Sequence, residues 1–314
     1  MSGLDLLVVG DVNADLVLRG GDLVPAFGQR EQLVEEATLV LGGSGAIMAA
    51  GAARLGLRVA MAGCVGDDAL GRAMLDALAA VDVSAVRTVD APTGISVGLA
   101  RPSDRAVLTA LGALAEFRAE DVPDALLASA RWVHVASPFL QPVLDVAAIA
   151  QRASGTTSLD PGWDPREEWE LAWERFDVLL PNAQEAQRLS GEEDVEEATR
   201  RLAARGPLMV VKLGAEGALA ARGRGAGGRT SVAAGEPPSA SGDDFVRVVA
   251  PRVEPVDTTG AGDSFDAGFI AARLAGEDLA EALALGCACG ALSTRAAGGT
   301  AGQPTLAEAQ SFRG

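Results

Sequence analysis

Asp257-Thr258-Thr259-Gly260-Ala261-Gly262-Asp263 is the stretch on which the reading of this chain turns. It sets three small residues and a carboxylate between an apolar lead-in and an apolar helix. The lead-in, Val253 to Val256, reads as a strand interrupted by Glu254 and Pro255, and Phe265, Phe269, Ile270 and Leu274 follow at helical spacing. Gly260 and Gly262 lack a Cβ, so the N–H groups around them can converge on one point. At a helix N-terminus such a cradle attracts an anion such as phosphate. Asp263 stands at the same mouth. A negative charge there opposes simple anion binding, yet it serves if the carboxylate takes a proton from an attacking hydroxyl. The combination points to phosphoryl transfer. The plainer reading of the same letters is a turn and an N-cap, since Asp caps helices and Gly fills turns.

The bulk properties narrow the alternatives. A chain of 314 residues, 48% hydrophobic and 22% charged, can bury a large core and suits one large α/β unit over residues 1–314. A formal charge of −17 argues against nucleic acid or an anionic membrane as partner, and would repel a phosphorylated substrate unless arginines or Mg²⁺ offset it. Three cysteines, Cys64, Cys287 and Cys289, form no disulfide framework and read as small buried apolar residues. No basic N-terminal segment leads into an apolar run, and no uncharged stretch is long enough to span a bilayer, so the expected location is cytoplasmic.

Short apolar runs alternate with amphipathic stretches, the pattern of a mainly parallel sheet sandwiched by helices. Strands are expected at Leu6–Val9, Val59–Ala62, Trp132–Ala136, Thr157–Asp160, Val178–Leu180, Met209–Leu213 and Val246–Val249. Helices are expected at Ile47–Leu55, closed by Gly56, and at Ala69–Ala80, Val143–Arg152, Glu185–Ser190, Val195–Arg205, Asp263–Leu274 and Leu279–Thr294. Two segments break the rhythm. Leu16–Leu41 and Thr93–Leu111 are extended, alternating and rich in turns, with Ile95, Val97 and Leu99 facing opposite to Ser96, Gly98 and Ala100. They read as antiparallel strands of a small β-sheet lid outside the main sheet, or as ordinary surface hairpins. Ala234–Asp244, rich in Gly, Pro, Ser and Ala, reads as a loop.

What is absent also informs. Lys212, in Val210-Val211-Lys212-Leu213-Gly214, is the one lysine in the chain. No Gly-Lys pair exists for a P-loop, and the single His134 lies in Trp-Val-His-Val, not in a protein-kinase catalytic loop. Phosphate must therefore be held by backbone amides, arginines and metal. His134 reads most simply as a core histidine. Gly223-Arg224-Gly225-Ala226-Gly227-Gly228 spells a dinucleotide fingerprint but has no helix behind it, and reads as a hairpin loop.

Three further groups gather around the carboxyl edge of the expected sheet. Asp11, Asn13 and Asp15 follow the first strand, and alternate spacing sends them to one side, where two acids and an amide suit polyol hydroxyls; a solvated turn is the plainer alternative. Gly42-Gly43-Ser44-Gly45 opens a helix. Asn182 and Glu185 have capping-box spacing, which explains the pair by itself, although the same residues suit Mg²⁺ held through water.

Taken together these segments resemble the ribokinase-like (PfkB) family of carbohydrate kinases along nearly the whole chain. The resemblance is specific at Asp257–Asp263 with Ser264-Phe265-Asp266-Ala267-Gly268-Phe269 behind it. Gly10-Asp11 to Asp15, Gly42-Gly43 through Gly56, Gly63-Cys64-Val65-Gly66-Asp67-Asp68, Asn182 to Glu185, and Lys212-Leu213-Gly214 to Gly217-Ala218 follow in the family's order. The resemblance implies an α/β core with a β lid, ATP as donor and Mg²⁺ as helper. It implies Asp263 as general base, with the amides of Gly260, Ala261 and Gly262 as anion hole. Asn182 and Glu185 would arrange Mg²⁺, while Lys212, Gly214 and Gly217 lie near the nucleotide. Asp15, Gly42 and Gly43 match sugar-holding positions, and Asp257 and Thr259 match a K⁺ loop of some members. A homodimer through the lid is the expected assembly.

One departure stands out. The family usually carries Asn four residues after the second Gly of the pair, where this chain has Ile47. One such hydrogen bond contributes about 1 kcal/mol net. The acceptor therefore need not be ribose; a small sugar or sugar acid is expected, and a nucleoside kinase or a regulator that binds sugar or nucleotide are the alternatives. A nucleoside would need an aromatic platform from Trp163, Trp169 or Phe27. Arg101 and Arg105 are the only basic pair suited to a second phosphate in the lid. Asp263 is expected to be ionised at neutral pH, held low by the helix dipole.

Overall fold

The computed structural model describes residues 3–20, 23–101, 104–162, 170–222 and 245–313. Thirteen strands lie among them: β1 (Leu6–Val9), β2 (Asn13–Arg19), β3 (Glu36–Gly42), β4 (Val59–Gly66), β5 (Asp82–Val89), β6 (Ile95–Arg101), β7 (Asp104–Ala110), β8 (Trp132–Ala136), β9 (Thr156–Asp160), β10 (Val178–Leu179), β11 (Leu208–Lys212), β12 (Ala218–Ala221) and β13 (Phe245–Val248). Nine form one sheet in the order β13-β12-β11-β10-β9-β8-β1-β4-β5. From β11 to β5 every pairing is parallel, and β12 and β13 add an antiparallel edge.

The four residues of β1 and all eight of β4 are buried, as continuous apolar runs in a doubly covered parallel sheet require. Alternate side chains go to opposite faces. Leu6, Val8, Met61 and Val210 pack with the helices Ser44–Arg54, Ala261–Ala275 and Leu279–Ser293, while Leu7, Val9, Val135 and Val211 pack on the other side with Val146–Arg152, Ala183–Ser190 and Val195–Ala203. Helices Ala261–Ala275 and Leu279–Ser293 approach closely because glycines face them: a Cβ on Gly268 would lie 2.8 Å from Cys289 Sγ, and one on Gly286 would lie 2.9 Å from the Phe265 ring. All three cysteines are free and buried, in agreement with their apolar reading. Among the described residues no helix is long and apolar enough to cross a membrane.

The order of strands reverses beside β1. The chain runs from β1 through β4 to β5 in one direction, then restarts at β8 on the other flank and proceeds to β11. Ligand crevices form outside the carboxyl ends of parallel strands at such a switch point. Gly10 lies there, close enough that a Cβ would meet the Ala136 Cβ at 3.3 Å.

The second sheet has the order β3-β2-β6-β7. It is the small sheet expected from the alternating segments, with two corrections. Its central pair, β2 with β6, is parallel, so the sheet is mixed; only β2–β3 and β6–β7 are antiparallel. It also begins at Asn13 rather than Leu16, because the chain leaves β1 and enters the lid within three residues. A bond from Ala14 N to Gly94 O (3.0 Å) joins the bases of its two halves.

Other expectations shift. Val253–Val256 forms no strand; Val256 N and Asp257 N instead donate to Thr294 O (2.7 and 3.1 Å). Pro255 removes one ladder donor in that segment. The helix expected from Ile47 begins at Ser44, and the one expected from Val143 begins at Val146 after an Asp145 cap. β5, β12 and the final helix Leu306–Phe312 were not anticipated. β12 and β13 pair antiparallel across the segment containing Gly223–Gly228 and Ala234–Asp244, which itself lies outside the described residues. The turn at Pro102, the side chains of Arg101 and Arg105, and Trp163 and Trp169 also lie outside them.

Candidate active site

Helix Ala261–Ala275 starts from Gly260, which takes a left-handed φ of +72°, and no side chain caps its first turn. That separates the two readings of Asp257–Asp263: Asp263 does not serve as a cap. Among the described residues the amides of Gly260, Gly262 and Asp263 have no backbone acceptor, and that of Ala261 reaches Thr258 O only at 3.3 Å. A Cβ on Gly260 would lie 2.8 Å from Ile47 Cγ2 and 2.9 Å from Gly299 O, so glycine is required sterically as well. Over Gly262 there is room; a Cβ there would meet Lys212 Nζ at 3.6 Å.

Lys212 ends β11 and its ammonium binds Asp160 (2.7 Å), at the end of β9, and Asp266 (3.1 Å), one turn beyond Asp263. Burial alone would lower the Lys212 pKa, but the charges of Asp160, Asp266 and Glu185 raise it. Burial raises Asp160 as well, yet Lys212 and a hydrogen bond from Asp266 bring it below the ordinary carboxylate range. Asp266, fully buried, is driven well above that range by burial. The consistent proton arrangement is a neutral Asp266 donating to an ionised Asp160 that is paired with Lys212. The ammonium, expected near the nucleotide, stands beside Gly262 and is held there by the two carboxyls.

Asp263 is half-buried near this cluster. Its pKa is raised to about 8, first by burial and then by the negative charges of Asp160 and Asp11, against the pull of Lys212 and a hydrogen bond with Ser44. The expectation of an acid held low by the helix dipole is corrected: removal from water outweighs the dipole. Ser44 opens helix Ser44–Arg54, so the first turns of two helices meet at this carboxyl.

The residues expected to hold the acceptor come together at the base of the lid, but in different roles. Asn13 Nδ2 donates to Asp15 Oδ1 (2.8 Å) and Ser96 Oγ (3.2 Å), and Ser96 in turn bonds Thr109 (3.0 Å). Among the described residues the buried Asn13 Oδ1 has no partner. Gly42 is pressed against the Asp15 carboxylate, where a Cβ would collide, and a Cβ on Gly43 would lie 2.9 Å from Asn13 Oδ1. Asp11 points elsewhere: its oxygens accept from the amides of Ser44 (3.1 Å) and Gly45 (2.9 Å), tying the helix to β1. Burial raises its pKa to about 6 despite those bonds. The extended-chain picture placing Asp11 beside Asn13 and Asp15 fails because β2 begins only at Asn13. Ile47 is likewise buried under Gly260 and Gly299 rather than open to the cleft.

Asn182 and Glu185 form both arms of a capping box: Asn182 N donates to Glu185 Oε2 (2.8 Å) and Glu185 N to Asn182 Oδ1 (3.0 Å). Burial and the Asp160 charge raise the Glu185 pKa to about 7. Gly214 and Gly217 shape the turn from β11 to β12, with Leu213 N bonded to Gly217 O (2.8 Å); a Cβ on Gly217 would collide with Val248 O. His134 is the core histidine expected, bonded to Ser158 Oγ (2.8 Å), and burial lowers its pKa to about 4. Phe27, one of the three aromatic residues a nucleoside could use, is 97% exposed.

Sequence reasoning missed Asp160, Asp266, Ser44, Arg19 and Asp68. Asp266 was legible as the i+3 neighbour of Asp263 on one helix face; the others meet only in three dimensions. Asp68 caps helix Ala69–Ala77 through Gly71 N (2.7 Å) and also accepts from Thr93 N (2.7 Å) and Thr93 Oγ1 (2.7 Å) at the foot of β6. Arg19, at the far end of β2, pairs with Asp257.

A parallel α/β sheet with its crevice at the switch point, a small β lid and an open amide cradle beside an acid define a kinase of the ribokinase-like class. Residues 4–306 match the pfkB family of carbohydrate kinases. The chain is 29% identical to a ribokinase of Haemophilus influenzae over 98% of its own length and 97% of that protein's. It is 32% identical to an ATP-dependent ribose-1-phosphate kinase of Halopiger xanaduensis, covering 92% of this chain and 91% of the relative. A crystal structure of an E. coli protein described as a ribokinase II, in complex with ATP and Mg²⁺, superposes with a TM-score of 0.79 at 23% identity, covering 98% of both chains. The chain belongs to the pfkB family and is an ATP-dependent carbohydrate kinase.

Proposed function

We propose that residues 1–314 act as one catalytic unit that moves the γ-phosphate of ATP to a hydroxyl of a small, unphosphorylated sugar or sugar acid. The observation that carries this is the uncapped start of helix Ala261–Ala275, where among the described residues the amides of Gly260, Gly262 and Asp263 have no backbone partner. In this reading the amides of Gly260, Ala261 and Gly262 neutralise charge on the migrating phosphoryl group, with Lys212 flanking them. Asp263 accepts the proton of the acceptor hydroxyl. Phosphoryl transition states are loose, so most of the rate comes from positioning and charge neutralisation, and the base matters late. A carboxyl with its pKa near 8 is a better proton acceptor than an ordinary aspartate, provided it is ionised when the acceptor binds.

Asn13 and Asp15 hold acceptor hydroxyls from the lid side, with Gly42 and Gly43 giving them room. The turn at Gly214 and Gly217 adjoins the nucleotide. Asn182 and Glu185 suit Mg²⁺: a buried acid raised by burial and by the neighbouring Asp160 charge gains most from a cation, and one carboxylate with waters is the coordination Mg²⁺ prefers. When bound, that ion would neutralise phosphate charge. An unphosphorylated acceptor is supported by the net charge of −17 and by the acids around the cleft.

The lid is the proposed dimer contact. Phe27, Leu33 and Leu108 are 97%, 89% and 66% exposed, more apolar surface than a lid facing only water retains. Leu108→Glu should convert a dimer to a monomer in size-exclusion chromatography. The odd number of free cysteines agrees with a cytoplasmic location.

An ADP-release screen over pentoses, hexoses, keto-deoxy acids and nucleosides tests the reading. Acceptor-dependent ADP release, about 10²–10⁴-fold slower in Asp263→Asn, is the expected result; binding of sugar and ATP without turnover would make the chain a regulator.

A further inference from the structure

One ion pair joins the lid to the loop that carries the amide cradle. Arg19 is the last residue of β2, and its guanidinium pairs with Oδ2 of Asp257. The pair is largely withdrawn from water, the side chains being 22% and 9% exposed. Asp257 Oδ1 accepts from Thr259 N (3.0 Å) and Thr259 Oγ1 (2.8 Å), and Oδ2 accepts from Gly298 N (2.8 Å) besides Arg19. A carboxylate offers about four lone-pair directions, and four donors use them here. Its one negative charge is already matched by the guanidinium.

Asp257 and Thr259 match a monovalent-cation loop of some family members, which makes K⁺ the candidate ion. These residues do not fit that ion as they stand, since K⁺ would have to displace Arg19 or lie against its positive charge. We propose that the Arg19 guanidinium is the permanent cation of this site, holding the Asp257–Gly262 loop in its open-amide geometry and making the chain indifferent to K⁺. Arg19 is thereby a positioning residue: it acts through Asp257 on amides it does not touch. Because β2 also carries Asn13 and Asp15, the same strand that grips the acceptor delivers the charge. A dissolved ion could not be linked to the acceptor in that way.

The inference rests on the phosphotransfer reading only for what the loop holds, and the cation question is decided without turnover. Thermal unfolding of the wild-type chain, Arg19→Met and Arg19→Gln would be followed in KCl, NaCl and tetramethylammonium chloride at equal ionic strength. Wild type should melt at one temperature in all three salts. The variants should melt lower and recover by about 2 °C or more in KCl alone, as binding to the native state requires. ADP release should follow the same pattern, with the variants at least about tenfold slower and partly restored by K⁺. A K⁺-specific rise in wild-type melting temperature or rate overturns the proposal without any variant, and so do folded variants that ignore K⁺. If no acceptor is phosphorylated in any salt while the melting pattern holds, the phosphotransfer reading fails and the Arg19 assignment stands.

Discussion

On the main-sheet side of the cleft Asp160, Lys212, Asp266 and Asp263 stand together, two at strand ends and two on a helix packed into the core. The lid side instead offers Asn13, Ser96 and Thr109, joined by neutral hydrogen bonds, with Asp15 beside them and Arg19 at the far end of the same strand as charged groups. The difference follows from what each side must tolerate. Buried charges are stabilising only if their partners are fixed, and the doubly covered sheet fixes them. Amides and hydroxyls lose less when water returns, so they suit an element covered on one face only. The buried charge cluster lies on the rigid wall and the neutral hydrogen bonds on the thin one.

The largest test of this contrast removes the acid of the rigid wall. Asp263→Asn should lower kcat by about 10²–10⁴ with ATP affinity little changed, measured by coupled ADP release and by calorimetry. In the wild type kcat/KM should rise with pH and level off above about 8, because the carboxyl must be unprotonated to act. Stability moves the other way. The folded chain keeps a proton on Asp263 that the unfolded chain releases near 3.8, so this group destabilises the fold progressively between there and about 8. Asp263→Asn should therefore be more stable than wild type at pH 8 by about 1–3 kcal/mol, the gain vanishing near pH 4.

Next, Lys212→Met should destabilise the chain by about 3–5 kcal/mol in chemical denaturation, since Asp160 is left buried without its counter-charge. A loss below about 1 kcal/mol would mean that water reaches the cluster and the wall is less rigid than drawn. The two cradle glycines then separate backbone from space. Gly260→Ala meets a left-handed backbone together with Ile47 and Gly299 and should cost about 1–3 kcal/mol, whereas Gly262→Ala, with its nearest neighbour at 3.6 Å, should cost less than about 1 kcal/mol. Last comes the lid: Asn13→Ala should raise the KM of the acceptor about five- to tenfold, equivalent to roughly 1 kcal/mol, with kcat nearly unchanged. A collapse of kcat in that variant would place Asn13 in the chemistry and erase the division between the two walls.

Much of this was legible in the letters. The central strands and the helices around them followed from apolar runs and their periods, and Asp257–Asp263 announced its cradle because glycine and acid spacing are local. The lid was recognised but its β2–β6 pairing was not, since parallel pairing joins segments some 80 residues apart and leaves no local trace. Lys212 was known to be solitary, but its partners Asp160 and Asp266 come from a strand end and a helix that meet only after folding. The ionisation of Asp263 was misjudged for the same reason: the helix dipole is visible in sequence, whereas desolvation is a property of the assembled cleft. Ile47 showed its departure from the family plainly, but not that its side chain lies beneath the cradle.

The bonds of Asp68 to Gly71 and to both groups of Thr93 have a mechanical consequence. A single carboxylate rivets a helix of the main body to the foot of β6, so any swing of the small sheet must pivot outward of Thr93. Asn13 and Arg19 lie on one strand of that sheet, so the carboxylate that anchors its foot also fixes where both of them stand.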